Sequence, residues 1–254
     1  MESTRQSGVQ NLWDQFRVSA LWRLLRRINF LRSSLYLAIE IRSCWREPAE
    51  CSLEQVDSDI AQRRDPWSYE TSALEQQRFR QQTSMIDTAS DGEHFRRGLE
   101  IGCAEGLYTE VLAQRCDSLR VLDLSPTALA RARGRRRWPD SVTFGAFDLR
   151  RNIIPGTFDL IVVTGVLEYF SRPSTMARAR EKLVAALAPG GCLLVETTRT
   201  NRVVEGSWWG RYLVRGKWIN HFFSCHPSLV VESDHFDEMF AITLLRRVGP
   251  GGSR

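Results

Sequence analysis

The hydrophobic pattern changes character near residue 98. Downstream of it, short apolar runs alternate with amphipathic ones. "LEI" (99–101), "LRVLDL" (119–124), "VTFGAFD" (142–148), "FDLIVVTG" (158–165) and "CLLVETT" (192–198) read as strands. Helical spacing fills 107–115, 126–137 and 173–188 between them; Ser125 is placed to cap the second helix, and "APGG" stops the third. The run 158–165 is apolar almost throughout, as in a strand buried on both faces. "SLVVES" (228–233) and "FAITLLRR" (240–247) add two strands after an insert at 201–223. Strands alternating with helices predict an α/β fold with a mostly parallel sheet.

Upstream the pattern is different. In residues 11–42, Leu21, Leu24, Leu25, Ile28, Leu31, Leu35 and Ile39 follow helical spacing, with Arg23, Arg26 and Arg27 roughly opposite. Such a face suits packing on its own domain, self-association with a second copy, or a basic amphipathic helix on a membrane surface. Residues 43–64 are polar and read as a linker; Asp65-Pro66 starts a turn, and 71–87 reads as a helix. The domain expectation is therefore an N-terminal helical extension and linker (1–64), one domain (65–248) and a disordered tail (249–254).

Composition changes this picture little. A chain of 254 residues with 43% hydrophobic content supports one full-sized core plus an appendage. The net charge is +5, carried almost entirely by arginine, since Lys182 and Lys217 are the only lysines. That reads as the codon bias of a GC-rich bacterial genome more than as chemistry. The six cysteines form no C-x-x-C pair, which points to reduced cytoplasmic thiols and away from a metal site. The first ten residues are polar and no apolar run reaches 18 residues, so neither a secretion signal nor a spanning helix is expected.

The chemistry is concentrated in "LEIGCAEGLYTEVLAQRC" (99–116). Gly102 and Gly106 let a backbone approach a ligand closely, but the spacing is not that of a dinucleotide loop. Glu100 adds negative charge beside the loop, which suits a cationic ligand or anchors the loop itself. Asp123 ends the second predicted strand, where a carboxylate can accept both hydroxyls of a ribose. Phe147-Asp148 ends the third, an apolar neighbour and an acceptor suited to adenine. Glycine loop, ribose acid and adenine acid, on three successive strands, describe S-adenosylmethionine better than a nicotinamide dinucleotide.

Glu100-x-Gly102-x-x-x-Gly106, Asp123, Asp148, "FDLIVVTGVLEYF" and "LAPGG" together resemble class I S-adenosylmethionine-dependent methyltransferases. More narrowly, "DPWSYETSALEQQR", the glycine stretch and "FDLIVVTGVLEYF" resemble the nodulation protein S group. The resemblance implies a Rossmann-like, seven-stranded sheet with the last strand antiparallel and helices on both faces. It implies N-methylation of an amino sugar in a chitin-type oligosaccharide. Three departures stand out: the N-terminal helical region, the insert 201–223, and Gly165-Val-Leu-Glu168-Tyr169 where the group tends toward Glu-Val-Leu-Tyr-Tyr.

The candidate cofactor-binding residues are Glu100, Gly102, Cys103, Gly106, Asp123, Leu124, Phe147, Asp148 and Thr164, with Trp67 and Tyr69 as a lid implied by the resemblance. Methyl transfer is mostly positioning, but an amine must lose its proton before it attacks, so a base helps. The candidates beyond the fourth and fifth strands are Glu168, Tyr169, His221 and His226. Trp208, Trp209, Tyr212 and Trp218 either dock an acceptor or form a satellite core. The basic run "RARGRRRW" (131–138) reads as a solvated face better than as a nucleic-acid site, since no nucleic-acid-binding module is visible. The leading function is methylation of a small molecule. O-methylation of a natural product, nucleic-acid methylation, and a membrane-associated scaffold or silent subunit are the alternatives.

Overall fold

The computed structural model of the protein describes residues 53–170, 172–198, 215–237 and 239–249. The predicted helices of 11–42, the aromatics Trp208, Trp209 and Tyr212, and the tail from 250 lie outside these residues. The described elements are α1 (Leu53–Gln62), α2 (Ala73–Ala89), β1 (Phe95–Ile101), α3 (Leu107–Leu112), β2 (Cys116–Asp123), α4 (Pro126–Gly134), β3 (Val142–Ala146) and β4 (Phe158–Thr164), then a 3-10 turn (Leu167–Tyr169), α5 (Pro173–Ala186), β5 (Leu187–Thr198), α6 (Arg215–Ser224), β6 (Leu229–Phe236) and β7 (Phe240–Arg247).

The strands form one seven-stranded sheet in the order β3-β2-β1-β4-β5-β7-β6. Pairing is parallel from β3 to β5, and β7 runs antiparallel to both of its neighbours. The fold is thus the expected Rossmann-like sheet. Helices cover both faces: Glu196 on β5 meets Arg78 of α2, while the next residue, Thr197, meets Asn220 of α6, and successive strand side chains point to opposite faces. β4 holds the centre; Leu160, Ile161, Val162 and Val163 are all at most 1% exposed. Among the described residues no helix is long and apolar enough to cross a membrane.

Three expectations are corrected. The polar stretch 43–64 is not all linker, because Leu53–Gln62 is helical. Its Ile60 is buried, and its Asp57 accepts from the Thr127 backbone amide at 3.0 Å and from the Ser125 hydroxyl. Ser125 in turn accepts from Ala128 N at 3.0 Å, so Asp57 holds the residue that caps α4. Secondly, α6 fills the end of the predicted insert, and Trp218 falls within it. Thirdly, the basic run is not simply a solvated face. Arg131 bonds Glu105 at 2.7 Å and the Ile60 carbonyl at 2.8 Å; Arg135 bonds Glu70 and Glu110, each at 2.7 Å. These arginines point inward to acids and helix-end carbonyls that only the fold brings near.

Candidate active site

In an open parallel sheet the ligand crevice lies outside the carboxyl ends of the strands, where the chain order reverses. Here that point falls between β1 and β4, since β1 leads on to β2 on its other side. Gly102 leaves β1 with φ +88°, and a Cβ on it would lie 2.3 Å from Val166 Cγ2 and 3.1 Å from the Thr164 carbonyl oxygen. A side chain is therefore excluded by both conformation and space. Gly106 has φ +81°, and its missing Cβ would lie 3.0 Å from that of Ala132. Between them Ala104 holds φ +47°, an uncommon value for a residue with a Cβ.

That turn directs the Ala104 amide at Asp123. Asp123 Oδ2 accepts from Ala104 N at 2.9 Å, and Oδ1 accepts from Ser125 N at 2.8 Å. The side chain is buried, which pushes its pKa up to about 6 against the lowering effect of those amides. Glu100 is 1% exposed and accepts from Thr109 Oγ1 at 2.6 Å, so it ties β1 to α3 beneath the loop. Burial lifts it to about 7. Cys103 is buried beside them and its thiol is pushed up by that burial. Leu124 is half-buried and Phe147 buried at the next two strand exits; Phe147 N donates to the Asp123 carbonyl at 2.8 Å, holding the two exits together. Asp148 is different in kind. Burial raises its pKa, but Arg150 outweighs this, bonding Oδ1 at 2.9 Å and Oδ2 at 3.0 Å. Its carboxylate is therefore held by a cation, where that of Asp123 is held by amides.

Across the crevice, Thr164 is nearly buried at the end of β4, and Gly165 follows with φ +63°. Tyr69 Oη lies 3.9 Å from where a Gly165 Cβ would be. Tyr69 stacks on Trp67 with centroids 5.6 Å apart and meets Phe79 edge-on at 5.7 Å. The turn that carries both is fixed by Asp65, whose carboxylate accepts from the amides of Tyr69 and Glu70 and whose own amide donates to Glu105 at 3.0 Å. The pair thus lies beside the crevice, joined to the glycine loop through Glu105.

Glu168 Oε1 accepts from Thr198 N at 3.3 Å, while its Oε2 is buried with no hydrogen-bond partner. Beside it is an acid absent from the sequence-based candidates. Glu196, 1% exposed, receives Arg78 Nη1 on Oε2 at 2.7 Å and leaves Oε1 unpartnered. Arg78 also bonds Glu75 at 2.7 Å, and its guanidinium lies over the rings of Tyr69 and Phe79. Burial and the neighbouring Glu168 push Glu196 upward; burial does the same to Glu168. Tyr169 is 40% exposed on the same 3-10 turn.

The structure does not bring His226 here. His226 precedes β6, whose Leu229 pairs with Arg247, and Arg246 pairs with Cys192. That is the amino-terminal end of the parallel strands, opposite the crevice. His226 is occupied there: Nε2 lies 3.3 Å from Glu181 Oε2, and Nδ1 accepts from Ser228 N at 3.1 Å. Its place near the methyl position is corrected to a structural one. His221 sits on α6 with Nε2 3.6 Å from Cys225 Sγ, one turn on toward that same end.

The model of the family "Nodulation protein S" matches residues 51–217, which include the glycine loop, Asp123, Asp148, Glu168 and Glu196. The chain belongs to the nodulation protein S family. It is 39% identical over 135 residues to the nodulation protein S of Bradyrhizobium diazoefficiens, covering 53% of this chain and 63% of that protein. With that of Sinorhizobium fredii the identity is 37%, covering 50% and 57%. The chain thus spans rather less than two thirds of the curated relatives it matches. The solved N-methyltransferase NodS of Bradyrhizobium japonicum, in complex with S-adenosyl-L-homocysteine, superposes with a TM-score of 0.64 at 26% identity, covering 78% of this chain and 99% of that one.

Within this nodulation protein S family member, Glu196 and Arg78 are the site residues that sequence reasoning missed. A carboxylate inside the apolar run "CLLVETT" was the available signal for Glu196. Arg78 sits in "EQQRFRQQ", where nothing local marks it as buried. Its role depends on a partner 118 residues away.

Proposed function

We propose that this chain is an S-adenosylmethionine-dependent N-methyltransferase whose acceptor is a small amine-bearing molecule, with an amino sugar as the first class to test. The observation that carries the reading is Asp123: a buried carboxylate at the β2 exit, anchored by the amide of a strained glycine-loop residue. Oδ2 takes the Ala104 amide and Oδ1 the Ser125 amide, and a carboxylate fixed in this way at a strand exit suits the paired hydroxyls of a ribose. Gly102 and Gly106 keep the loop backbone open beside it. Leu124 and Phe147 supply an apolar side for a flat ring, while Asp148, shared with Arg150, supplies charge at its edge. The bound S-adenosyl-L-homocysteine of the related NodS structure supports this donor.

When bound, S-adenosylmethionine supplies a methyl group on a positively charged sulfur. Glu100 fixes the loop through Thr109 and adds buried carboxyl character beneath that charge. Thr164 and Gly165 form the opposing wall, and Trp67 and Tyr69 limit access of water from the side. The acceptor nitrogen must arrive at the β4 and β5 exits as a free base, so a group that holds and removes its proton belongs there. Glu168 is the candidate within reach of those exits; Tyr169, on the same turn, is a candidate for orienting the acceptor. The test is incubation with S-adenosylmethionine and a glucosamine tetramer, or its fully N-acetylated counterpart, read by mass spectrometry. A single-methyl gain on the free-amine sugar is expected. Methyl transfer to oxygen of both sugars, or to neither, would contradict it.

A further inference from the structure

Three acids and one cation share the space beyond β4 and β5. Glu75 and Glu196 both bond Arg78, at 2.7 Å each, so its charge is already divided. Glu168 receives the Thr198 amide on Oε1. Two oxygens, Glu168 Oε2 and Glu196 Oε1, are buried without a hydrogen-bond partner. An unpartnered buried carboxylate is costly in a fold, and a native structure resolves the cost with a partner or by neutralising the acid. The space beside Gly165 is bordered by Tyr69 Oη, and the Tyr69 ring rests on Arg78. Tyr69 is therefore the cover of the cluster, on the side that faces the crevice.

From this arrangement we infer that Glu168 and Glu196 act as a pair, seating the ammonium form of the acceptor between Glu168 Oε2 and Glu196 Oε1, with Arg78 fixing which Glu196 oxygen stays open. This deepens the N-methyltransferase reading and rests on it. An ammonium offers donors to both oxygens and brings the positive charge that the cluster lacks. It then passes one proton to one of the two carboxylates. The products of that step are a neutral amine with a free lone pair and a neutral carboxylic acid, so charge and protons balance. Access requires Tyr69 to move off Arg78, which makes it a gate for the acceptor. Glu168 would touch the acceptor directly. Glu196 does so too, while Arg78 is a positioning residue acting through it.

The alternative is that both carboxyls are protonated and purely structural, and glutamine distinguishes the two because it copies the shape of a neutral acid. The experiment is calorimetric titration of the full chain, saturated with S-adenosyl-L-homocysteine, with the glucosamine tetramer. Glu168→Gln and Glu196→Gln are each expected to weaken the tetramer about tenfold or more, with S-adenosyl-L-homocysteine affinity unchanged. The fully N-acetylated tetramer is expected to bind weakly to every form. An unchanged tetramer affinity in Glu168→Gln would overturn the pair. That variant leaves the Arg78–Glu196 bond intact, so it decides the matter even where Glu196→Gln does not fold. Wild type that binds S-adenosyl-L-homocysteine but not the free-amine tetramer would also overturn the ammonium seat. Failure to bind S-adenosyl-L-homocysteine at all would instead remove the methyltransferase reading beneath it.

Discussion

The exits of β1, β2 and β3 and the exits of β4 and β5 both carry buried acids, but they hold them in different ways. In the first region the partners of the buried acids are close in sequence. Asp123 is held by amides of Ala104 and Ser125, and Glu100 by Thr109 nine residues on. In the second region, Glu196 depends on Arg78 from a helix far upstream, and two oxygens, one of Glu196 and one of Glu168, stay unpartnered. The first is a cradle made of loop amides and one hydroxyl. The second is held by one long-range cation and leaves carboxyl oxygens unpartnered. A cofactor shared by a whole family suits the first kind of site.

The comparison breaks most readily at Arg78. Replacing it with leucine strands Glu196, and the loss of one partner of a buried ion pair costs about 3–5 kcal/mol. Chemical denaturation should show that loss in Arg78→Leu, and the double variant Arg78→Leu/Glu196→Leu should recover much of it. A single variant as stable as wild type would mean that the second region does not depend on this cation.

A pH experiment separates the acids of the first region. Burial lifts Glu100 to about 7, whereas unfolded glutamate titrates near about 4.3. Between those values the folded state holds the additional proton. The contribution of Glu100 is therefore full below the unfolded pKa and is lost as pH rises through 7. His226, whose pKa burial lowers, acts in the opposite direction, so the reference must be a variant and not the bare profile. Glu100→Gln keeps an acceptor for Thr109 and cannot ionise. Relative to wild type it should gain about 2 kcal/mol between pH 5 and 8, the worth of one to two pKa units. No relative gain would show that Glu100 is ionised at no cost.

The backbone itself is tested at Gly102. With φ +88° and Val166 Cγ2 only 2.3 Å from the site of a Cβ, Gly102→Ala should cost about 1–2 kcal/mol from conformation before any clash. It should also weaken S-adenosyl-L-homocysteine, since Val166 beside the loop must shift. Wild-type stability and affinity in this variant would remove Gly102 from the cradle.

The same contrast explains what the sequence made legible. The seven strands, the two loop glycines and the strand-end acids all follow from short-range patterns: apolar runs, glycine punctuation and an acid directly after a strand. Strand limits moved by a few residues, as for β1, which begins at Phe95 because Arg96 and Arg97 lie exposed within it. Helix α1 was hidden in a polar stretch because Ile60 is the only buried side chain among its described ones; its docking uses Asp57 and a carbonyl taken by Arg131. Glu196 and Arg78 acquire meaning only when strand and helix pack together. His226 looked chemical in sequence and is structural in space, because β6 starts at the opposite end of the sheet from the crevice.

The central claim is that a buried carboxylate anchored by the glycine loop holds the methyl donor. Titration calorimetry with S-adenosyl-L-homocysteine, on wild type and Asp123→Ala, measures it most directly. Saturable binding to wild type is expected, with an affinity at least about tenfold lower in the variant, about 1.4 kcal/mol. Equal affinity in the two proteins would contradict it.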